Sequence, residues 1–199
     1  METMEQSPMT HWDSSRLHFE FPLEKRELRY KQLVLYIADQ CVDDPTFSRL
    51  KLQKILFYSD FESFGRYGAP ITGMPYRKFP FGPAPAAFGR YEEEMQQEGL
   101  IRIIRKQVHD YSRQRVLPLQ DPNFDLFLAR EIAVVGEWIR FFWGKTAREI
   151  SRRSHGRPWK LAQDAELIPY EAVFVSNDPV SLEDVARVKE LAARYKWPH

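Results

Sequence analysis

The sequence predicts a single globular, mainly α-helical (α+β) domain that carries one small antiparallel β-hairpin. Two observations indicate the helices. Apolar residues recur at helical spacing from Glu24 onward, and the segment from Leu50 to Phe64 is apolar on two opposite sides. A third observation indicates the hairpin, because two segments rich in Ile, Val and Leu flank His109–Asp110. With 199 residues, of which 43% are apolar, the chain is long enough to bury one substantial core.

Residues 1–22 are polar and have no sustained hydrophobic period. We therefore predict an N-terminal tail or arm there, followed by the domain at residues 23–199. The first helix of that domain is predicted from a single apolar stripe with the spacing of one helix face. The stripe consists of Tyr30, Leu33, Val34, Ile37, Ala38 and Cys41.

Asp44–Pro45 predicts the start of a second helix, with the aspartate as its cap and the proline in its first turn. Because this helix is apolar on two sides, we expect it to be the buried central helix. One side comprises Phe47, Leu50, Phe57, Phe61 and Phe64, and the other comprises Leu52, Ile55 and Leu56. For the two lysines on this helix, Lys51 and Lys54, two interpretations stay open. Either their stems are buried while the ammonium groups reach water, or the ammonium groups bind a partner's carboxylates.

Five glycines and prolines between Gly65 and Pro75 predict the end of the central helix and an irregular crossing. Residues 76–81 alternate aromatic and basic side chains and can run extended. Gly82–Pro83 predicts the start of another helix, which ends at Gly99. The hairpin follows, with strands predicted at residues 100–108 and 111–119.

Asp121–Pro122 repeats the signal of a cap followed by a proline and predicts a long helix from about Phe124 to Trp143. Its inner stripe is expected to be Leu128, Ile132, Val135, Ile139 and Phe142. Residues 146–149 read as a capping box that starts a short helix ending near Gly156. A final helix is predicted to begin at residues 181–184 and to end near Tyr195.

Composition excludes several classes of protein. The net charge is +1, which is not the basic balance of a protein that mainly coats nucleic acid. No apolar run is long enough to span a bilayer, so no membrane association is expected. Cys41 is the only cysteine, so no internal disulfide can form, and we expect a cytoplasmic protein in which Cys41 is a small apolar core residue.

His155 is the candidate for catalysis, with Glu149, Asp164 and Glu166 as carboxylates that could orient it. The sequence offers no nucleophile elbow, no metal-ligand spacing and no glycine-rich phosphate loop. The ordinary interpretation is that His155 ends the short helix and that Trp159 packs beneath it. We therefore predict no catalytic residue, no cofactor and no metal, and we expect that the protein is not an enzyme.

Two clusters of basic residues could contact a charged partner. A basic hairpin after a helix is typical of a winged helix, which would touch DNA phosphates, whereas its ordinary interpretation is a solvated ribbon. The second cluster follows helical spacing and could face an acidic surface, although solvated faces of this kind are common. The hairpin cluster comprises Arg102, Arg105, Lys106, Arg113 and Arg115, and the helical cluster comprises Arg148, Arg152, Arg153, Arg157 and Lys160.

The loop at residues 76–83 combines aromatic and arginine residues, which are enriched at the energetic centres of protein interfaces. Its prolines and glycine restrict the backbone, so that binding would cost little conformational entropy. The competing interpretation is that Phe79 or Phe81 packs in the core. The predicted partner-contact residues are Lys54, Tyr76, Arg77 and Phe79.

Three motifs in a fixed order carry a family resemblance. The first motif is Leu50-Lys51-Leu52-Gln53-Lys54-Ile55-Leu56-Phe57-Tyr58, and the second is Phe81-Gly82-Pro83. The third follows Arg148-Glu149-Ile150-Ser151 and consists of Ser154-His155-Gly156-Arg157-Pro158-Trp159. They resemble the "KLQKLLYY" helix, "YGPV" turn and "LS..TH...PW" signature of the Panacea family, which includes SocA-like antitoxins and phage-associated GepA-like proteins. The resemblance covers about residues 26–175. Its signature positions are Lys51, Leu52, Gln53, Lys54, Tyr58, Gly82, Pro83, His155, Pro158 and Trp159.

The resemblance implies an antitoxin that neutralises a cognate protein toxin by direct contact, and one member of the family delivers its toxin to a cellular protease. The signature positions are fold determinants first. The chain departs from the family pattern at Phe81, where Tyr is usual, at residues 59–61, and in the extension before residue 23. The alternative function, supported by the basic hairpin alone, is a small DNA-binding transcriptional regulator.

Overall fold

A computed structural model describes residues 23–108, 111–175 and 182–195. The first half contains helices α1 (Leu23–Gln40), α2 (Arg49–Tyr67) and α3 (Phe88–Gln97), with strands β1 (Tyr76–Arg77) and β2 (Ala84–Pro85) between α2 and α3. A hairpin of β3 (Ile101–Val108) and β4 (Tyr111–Pro118) follows. The second half contains α4 (Ala129–Phe142), α5 (Ala147–Ser154), α6 (Arg157–Leu161), β5 (Leu167–Ile168) and α7 (Leu182–Tyr195), with 3₁₀ turns at Phe124–Leu126 and Tyr170–Phe174. The predicted fold class, mainly α with a small β component, is confirmed.

Helix α2 is the buried centre of the domain, as its two apolar sides predict. It packs against α1, α4, α5, β2, β4 and the 3₁₀ turn Tyr170–Phe174. Leu52 and Ile55 are fully buried on one side, and on the other the rings of Phe57 and Phe61 pack with centroids 4.3 Å apart and an interplanar angle of 41°. The helix runs past Gly65 and ends only where Gly68, in the left-handed conformation (φ 74°), donates its N–H to the carbonyl of Phe64.

The expected start of α2 at Asp44 is wrong. Ser48 is the N-cap, and its hydroxyl accepts the backbone N–H of Lys51. Asp44 is instead buried, and its carboxylate accepts from Lys51 Nζ at 2.6 Å and from the Thr46 N–H at 2.9 Å. Burial alone would raise the pKa of Asp44, but the hydrogen bonds from Lys51 and Thr46 outweigh it and hold the pKa below its ordinary value.

A small sheet that the sequence did not reveal joins distant parts of the chain. Its order is β2-β1-β5, with both pairings antiparallel: Tyr76 faces Pro85 on one side and Ile168 on the other. The predicted helix start at Gly82–Pro83 is consequently wrong, because residues 84–85 pair with β1. Helix α3 begins only at Phe88.

The hairpin is confirmed, with β3 and β4 paired from Ile101↔Pro118 to Val108↔Tyr111. Its predicted turn, His109–Asp110, lies outside the described residues. Ile101 and Val116 are buried and attach the hairpin to the core. Arg115 points back toward the domain, where its guanidinium donates to the carbonyls of Cys41 at 3.0 Å and Asp44 at 3.1 Å.

The helix expected from Phe124 to Trp143 is divided. Residues Phe124–Leu126 form a 3₁₀ turn capped by Asn123, and α4 begins at Ala129 because the Glu131 carboxylate accepts the N–H of Leu128 at 2.8 Å. Leu128 is therefore outside the inner stripe and is 54% exposed, contrary to the prediction. The remaining members face inward: Val135, Ile139 and Phe142 are buried, and Ile132 is partly buried.

Helices α5 and α7 agree with the sequence prediction where they are described, whereas α6 lies where the sequence indicated only a loop. Thr146 and Glu149 form the expected capping box at the start of α5, with Glu149 accepting the Thr146 N–H at 2.7 Å. Helix α7 ends at Tyr195, while the first residue of its predicted start, Ser181, and the predicted arm at residues 1–22 lie outside the described residues. None of the helices in the three described ranges has the length and hydropathy that a bilayer span requires.

The Asp44–Lys51 ion pair gives a test of this packing. Asp44→Asn should lower the free energy of unfolding by about 3–5 kcal/mol, because it leaves a buried ammonium group without its carboxylate. The measurement is urea unfolding at pH 7. Asp43→Asn, at the exposed neighbouring aspartate, is the matched control and should change stability by less than about 0.5 kcal/mol. Equal losses for the two variants would contradict a structural role for this ion pair.

Candidate partner-binding site

Lys54 lies inside the domain and cannot contact a partner as predicted. Its side chain is 0% exposed, and its ammonium nitrogen donates to the carbonyl oxygen of Pro83 at 2.5 Å. No carboxylate among the described residues forms an ion pair with it. Burial lowers the pKa of Lys54 to about 7. Both interpretations offered by the sequence, an ammonium group in water and an anchor for a partner, are therefore wrong for this residue.

Gly82 occupies a position that accepts no side chain. Its φ is +93°, and an added Cβ would overlap Ser154 Oγ and come within 2.9 Å of Lys54 Nζ. The Gly82–Pro83 turn, the central helix and the end of α5 therefore meet at one point. Three segments that lie far apart in the sequence thus form one packed unit.

His155 ends α5 and stacks on Trp159, as the ordinary interpretation predicts, with ring centroids 4.0 Å apart and an interplanar angle of 15°. Trp159 is only partly buried, so it does not close the core. Its indole N–H donates to the carbonyl of Phe79 at 3.0 Å, and Lys78 Nζ lies 4.5 Å from its ring centroid. The stack therefore supports the surface loop rather than the centre of the domain.

The carboxylates proposed to orient His155 have other positions. Glu149 is committed to the capping box, Asp164 is 98% exposed near Lys78, and Glu166 accepts the backbone N–H of Gln163. His155 Nε2 is buried without a hydrogen-bond partner in the described part of the chain. Burial and the charges of Lys54 and Lys78 lower its pKa, which favours a neutral ring.

The remaining predicted contact residues differ in exposure. Tyr76 is 1% exposed and its hydroxyl donates to the Asp60 carboxylate at 2.7 Å, so its predicted contact with a partner is wrong. Arg77 donates to the carbonyl of Ala165 at 2.6 Å and is partly exposed, and Phe79 is 36% exposed. Arg77 and Phe79 stay predictions as partner contacts.

Asp60, which sequence reasoning treated only as a departure from a motif, organises the interior behind this loop. Besides Tyr76, its carboxylate accepts the backbone N–H of Thr72 at 2.7 Å and the Thr72 hydroxyl at 2.5 Å. Burial raises the pKa of Asp60, while these hydrogen bonds oppose the change. A polar residue within the apolar face of a buried helix was the signal that could have identified it.

A cavity of about 190 Å³ opens beside the loop, and four signature positions line it: Tyr58, Pro83, Pro158 and Trp159. The rest of the lining is mostly apolar and aromatic, with Glu62, Arg153 and Ser154 as its polar members. Lys51 and Leu52 serve the core instead, while Gln53 lies in a separate cleft near the hairpin. Spacing could not reveal the cavity, because its walls come from α2, the 79–83 loop, α4, α5, α6 and the 3₁₀ turn.

The two basic clusters have different surroundings. On the hairpin, Arg102 and Arg105 are exposed, while Arg113 and Arg115 donate to backbone carbonyls of residues 41–45; the Lys106 side chain lies outside the described part. On α5 and α6, the exposed members are Arg148, Arg152, Arg153 and Lys160. No group of three or more His, Cys, Asp or Glu side chains in the described ranges is arranged to hold a metal ion.

The fold and the site together define a class of protein. It is a mainly helical domain in which signature residues fix a loop and line a surface cavity. The family model described as "Antitoxin SocA-like, Panacea domain" matches residues 52–160, more than half of the chain. The chain belongs to this family. The matched range contains nine of the ten signature positions, all except Lys51, and is shorter than the expected 26–175. A search of the curated proteins and a search of the solved structures each return no match.

The packing at Gly82 predicts a large penalty for a small change. Gly82→Ala should destabilise the protein by about 2–4 kcal/mol, because it combines an unfavourable φ with overpacking against Ser154. Gly89→Ala is the matched control, since Gly89 lies in α3 with no atom near its added Cβ, and it should stabilise by about 0.5–1 kcal/mol. Thermal unfolding measures both. A neutral Gly82→Ala would show that the turn can rearrange.

The lowered pKa of Lys54 predicts a specific dependence of stability on pH. Above pH 7 the folded protein releases the Lys54 proton while the unfolded chain keeps it, so the free energy of unfolding rises with pH. Between pH 7 and 9, the wild-type protein should gain about 1.4 kcal/mol per pH unit relative to Lys54→Met, which cannot titrate.

Urea unfolding at several pH values measures this difference. Lys160→Met, at an exposed lysine, is the control and should run parallel to the wild-type protein. Parallel curves for wild-type protein and Lys54→Met would contradict the burial of an ionisable amine.

Proposed function

We propose that this protein is an antitoxin that binds a cognate protein toxin in the cytoplasm and inactivates it by steric block, without chemistry of its own. The observation that carries the proposal is the match to the SocA-like Panacea domain family over residues 52–160. The packed unit of Lys54, Gly82 and Ser154 supports it, because a rigid loop loses little entropy when a partner binds. Delivery of the toxin to a cellular protease is a second step that the family resemblance adds to this proposal.

Three features favour binding over the competing functions. Within the described ranges no carboxylate pairs with His155, and its Nε2 is buried without a hydrogen-bond partner, which is poor geometry for a general base. A wing that grips DNA needs free cationic side chains, yet Arg113 and Arg115 donate to the protein's own backbone. Cys41 is buried with its pKa raised to about 12, which leaves little reactive thiolate.

The test of the proposal is co-expression with the product of the adjacent gene in a host that the product alone stops from growing. We expect growth to be restored and a complex of the two proteins to survive purification. Neither rescue nor a complex would contradict the antitoxin function. A mobility shift with operator DNA that weakens steeply with salt would then favour the DNA-binding alternative.

The loop contacts are tested in the same assay. Arg77→Ala combined with Phe79→Ala should weaken binding of the toxin on the order of tenfold or more, because exposed aromatic and arginine side chains supply much of an interface's affinity. Arg102→Ala on the exposed face of the hairpin is the control and should retain full binding. Unchanged rescue by the double variant would leave the function intact and remove this loop from the interface.

A further inference from the structure

We propose that the cavity beside Trp159 receives an aromatic side chain of the partner polypeptide, and that an acidic residue next to that side chain pairs with Arg153. This inference rests on the proposed function, which supplies a protein partner. It adds the chemistry of the segment that binds and the place where it binds.

The size and lining of the cavity fit one aromatic ring. Its volume is about 190 Å³, and a cavity of roughly 150 Å³ in another protein holds benzene. Tyr58 and Trp138 stack at 4.3 Å in one wall, and Trp159 and Pro158 form another part of the lining. Aromatic rings pack favourably on such walls in offset or edge-on arrangements.

Exposed aromatic surface continues from the cavity onto the protein exterior. Phe141 is partly exposed and packs at 5.5 Å on Trp138, which lines the cavity. Phe174 is 69% exposed and lies between two other lining residues, Val173 and Val175. Contiguous apolar surface around a cavity is typical of a site that another protein covers.

The charge around the mouth determines what should flank the aromatic side chain. Residues 147–160 contain five lysines and arginines but one acidic residue, Glu149, which is committed to the capping box. Arg153 lines the cavity and lies 4.7 Å from the Phe141 ring centroid. Arg153 is an exposed residue, so a carboxylate beside an inserted ring can reach it.

The acidic residue of the cavity lining, Glu62, is already engaged in an ion pair. Glu62 accepts from Arg66 at 2.7 Å, and Arg66 also donates to Glu137 at 2.8 Å. A basic partner segment would therefore meet the α5–α6 cations, while the glutamate that lines the cavity already has Arg66 as its cationic partner. Charge complementarity selects an acidic segment, oriented with its carboxylate toward α5.

The tryptophan side chains make the cavity directly observable. In a ¹⁵N–¹H spectrum of the full chain, the indole N–H signals of Trp138 and Trp159 report on the cavity, while Trp143, which does not line it, is an internal reference. The probe is the peptide Asp-Glu-Phe-Glu-Asp, titrated to about 1 mM, where weak binding is still detected. We expect the Trp138 and Trp159 signals to shift and the Trp143 signal to stay unchanged.

Control peptides separate the two parts of the proposal. Replacing the phenylalanine by alanine, or the acidic residues by lysine and arginine, should weaken binding on the order of tenfold. Arg153→Glu should weaken binding of the acidic peptide by a similar factor, while the exposed control Arg102→Glu should leave it within about twofold. Ala172→Leu, which places extra volume in the cavity lining, should abolish the shifts.

Several outcomes would overturn the proposal. The first is that the Trp138 and Trp159 signals do not shift. The second is that the alanine or basic peptides bind as tightly as the acidic phenylalanine peptide. The third is that the Arg153→Glu protein, in which only an exposed side chain is altered, binds the acidic peptide as tightly as the wild-type protein does. Shifts that appear on concentration without peptide would identify a second copy of the chain as the occupant. Shifts that appear on replacing Trp12 by alanine would identify the chain's own N-terminal residues as the occupant.

The co-expression assay keeps this inference separate from the proposed function. If toxin rescue occurs but Arg153→Glu leaves it intact, the antitoxin function stands and this inference fails. If the acidic peptide binds as expected but no rescue occurs, the chemistry of the cavity stands and the antitoxin function fails.

Discussion

The hydrogen bond from the buried Lys54 side chain to the Pro83 carbonyl is the interaction on which the rest of the site depends. It ties the central helix to a loop that is also held by hydrogen bonds from Ser151 to the Phe81 carbonyl and from Trp159 to the Phe79 carbonyl. Burying an amine without a carboxylate is costly, so it requires the well-packed apolar faces of α2 to offset it. This arrangement fixes the position of residues 79–83, beside which the cavity opens.

The two signature lysines are both buried, but their ammonium groups have different partners. Lys51 is buried with Asp44 as its partner, an arrangement that closes the chain between α1 and α2. Lys54 has a carbonyl as its partner, and burial lowers its pKa to about 7, so it can lose its charge inside the fold. Together with Asp60 behind β1, these residues form a polar interior that selects one arrangement of the helices.

Periodicity predicted the elements whose apolar pattern is long, and it failed where the decisive contact is distant in sequence. The stripe from Tyr30 to Cys41, the two apolar sides of α2 and the hairpin are confirmed because each carries six or more patterned residues. The two-residue strands β1, β2 and β5 carry no period at all. Asp44–Pro45 resembled a cap, but the neutralisation of Lys51 required that carboxylate elsewhere.

The candidate site was also predictable only in part, because its contacts join residues that are distant in sequence. The three motifs were recognised, and their convergence on Gly82 follows the family signature. Lys54 and Tyr76 were placed on the surface by their residue types, since lysine is mostly exposed and tyrosine is enriched at interfaces. The fold instead provides each with a buried hydrogen-bond partner. The cavity is lined by six segments, and no single segment carries a sequence pattern that predicts it.

The pairing of Tyr76 with Ile168 across the small sheet has a consequence for how the protein is made. About ninety residues separate these partners, so β1 acquires its second neighbour only after nearly the whole domain has left the ribosome. The cavity walls that α5, α6 and the Tyr170–Phe174 turn provide are also synthesised late. A nascent chain therefore carries an incomplete cavity until the residues of that turn have emerged, and the segments that line it then come together in one late step.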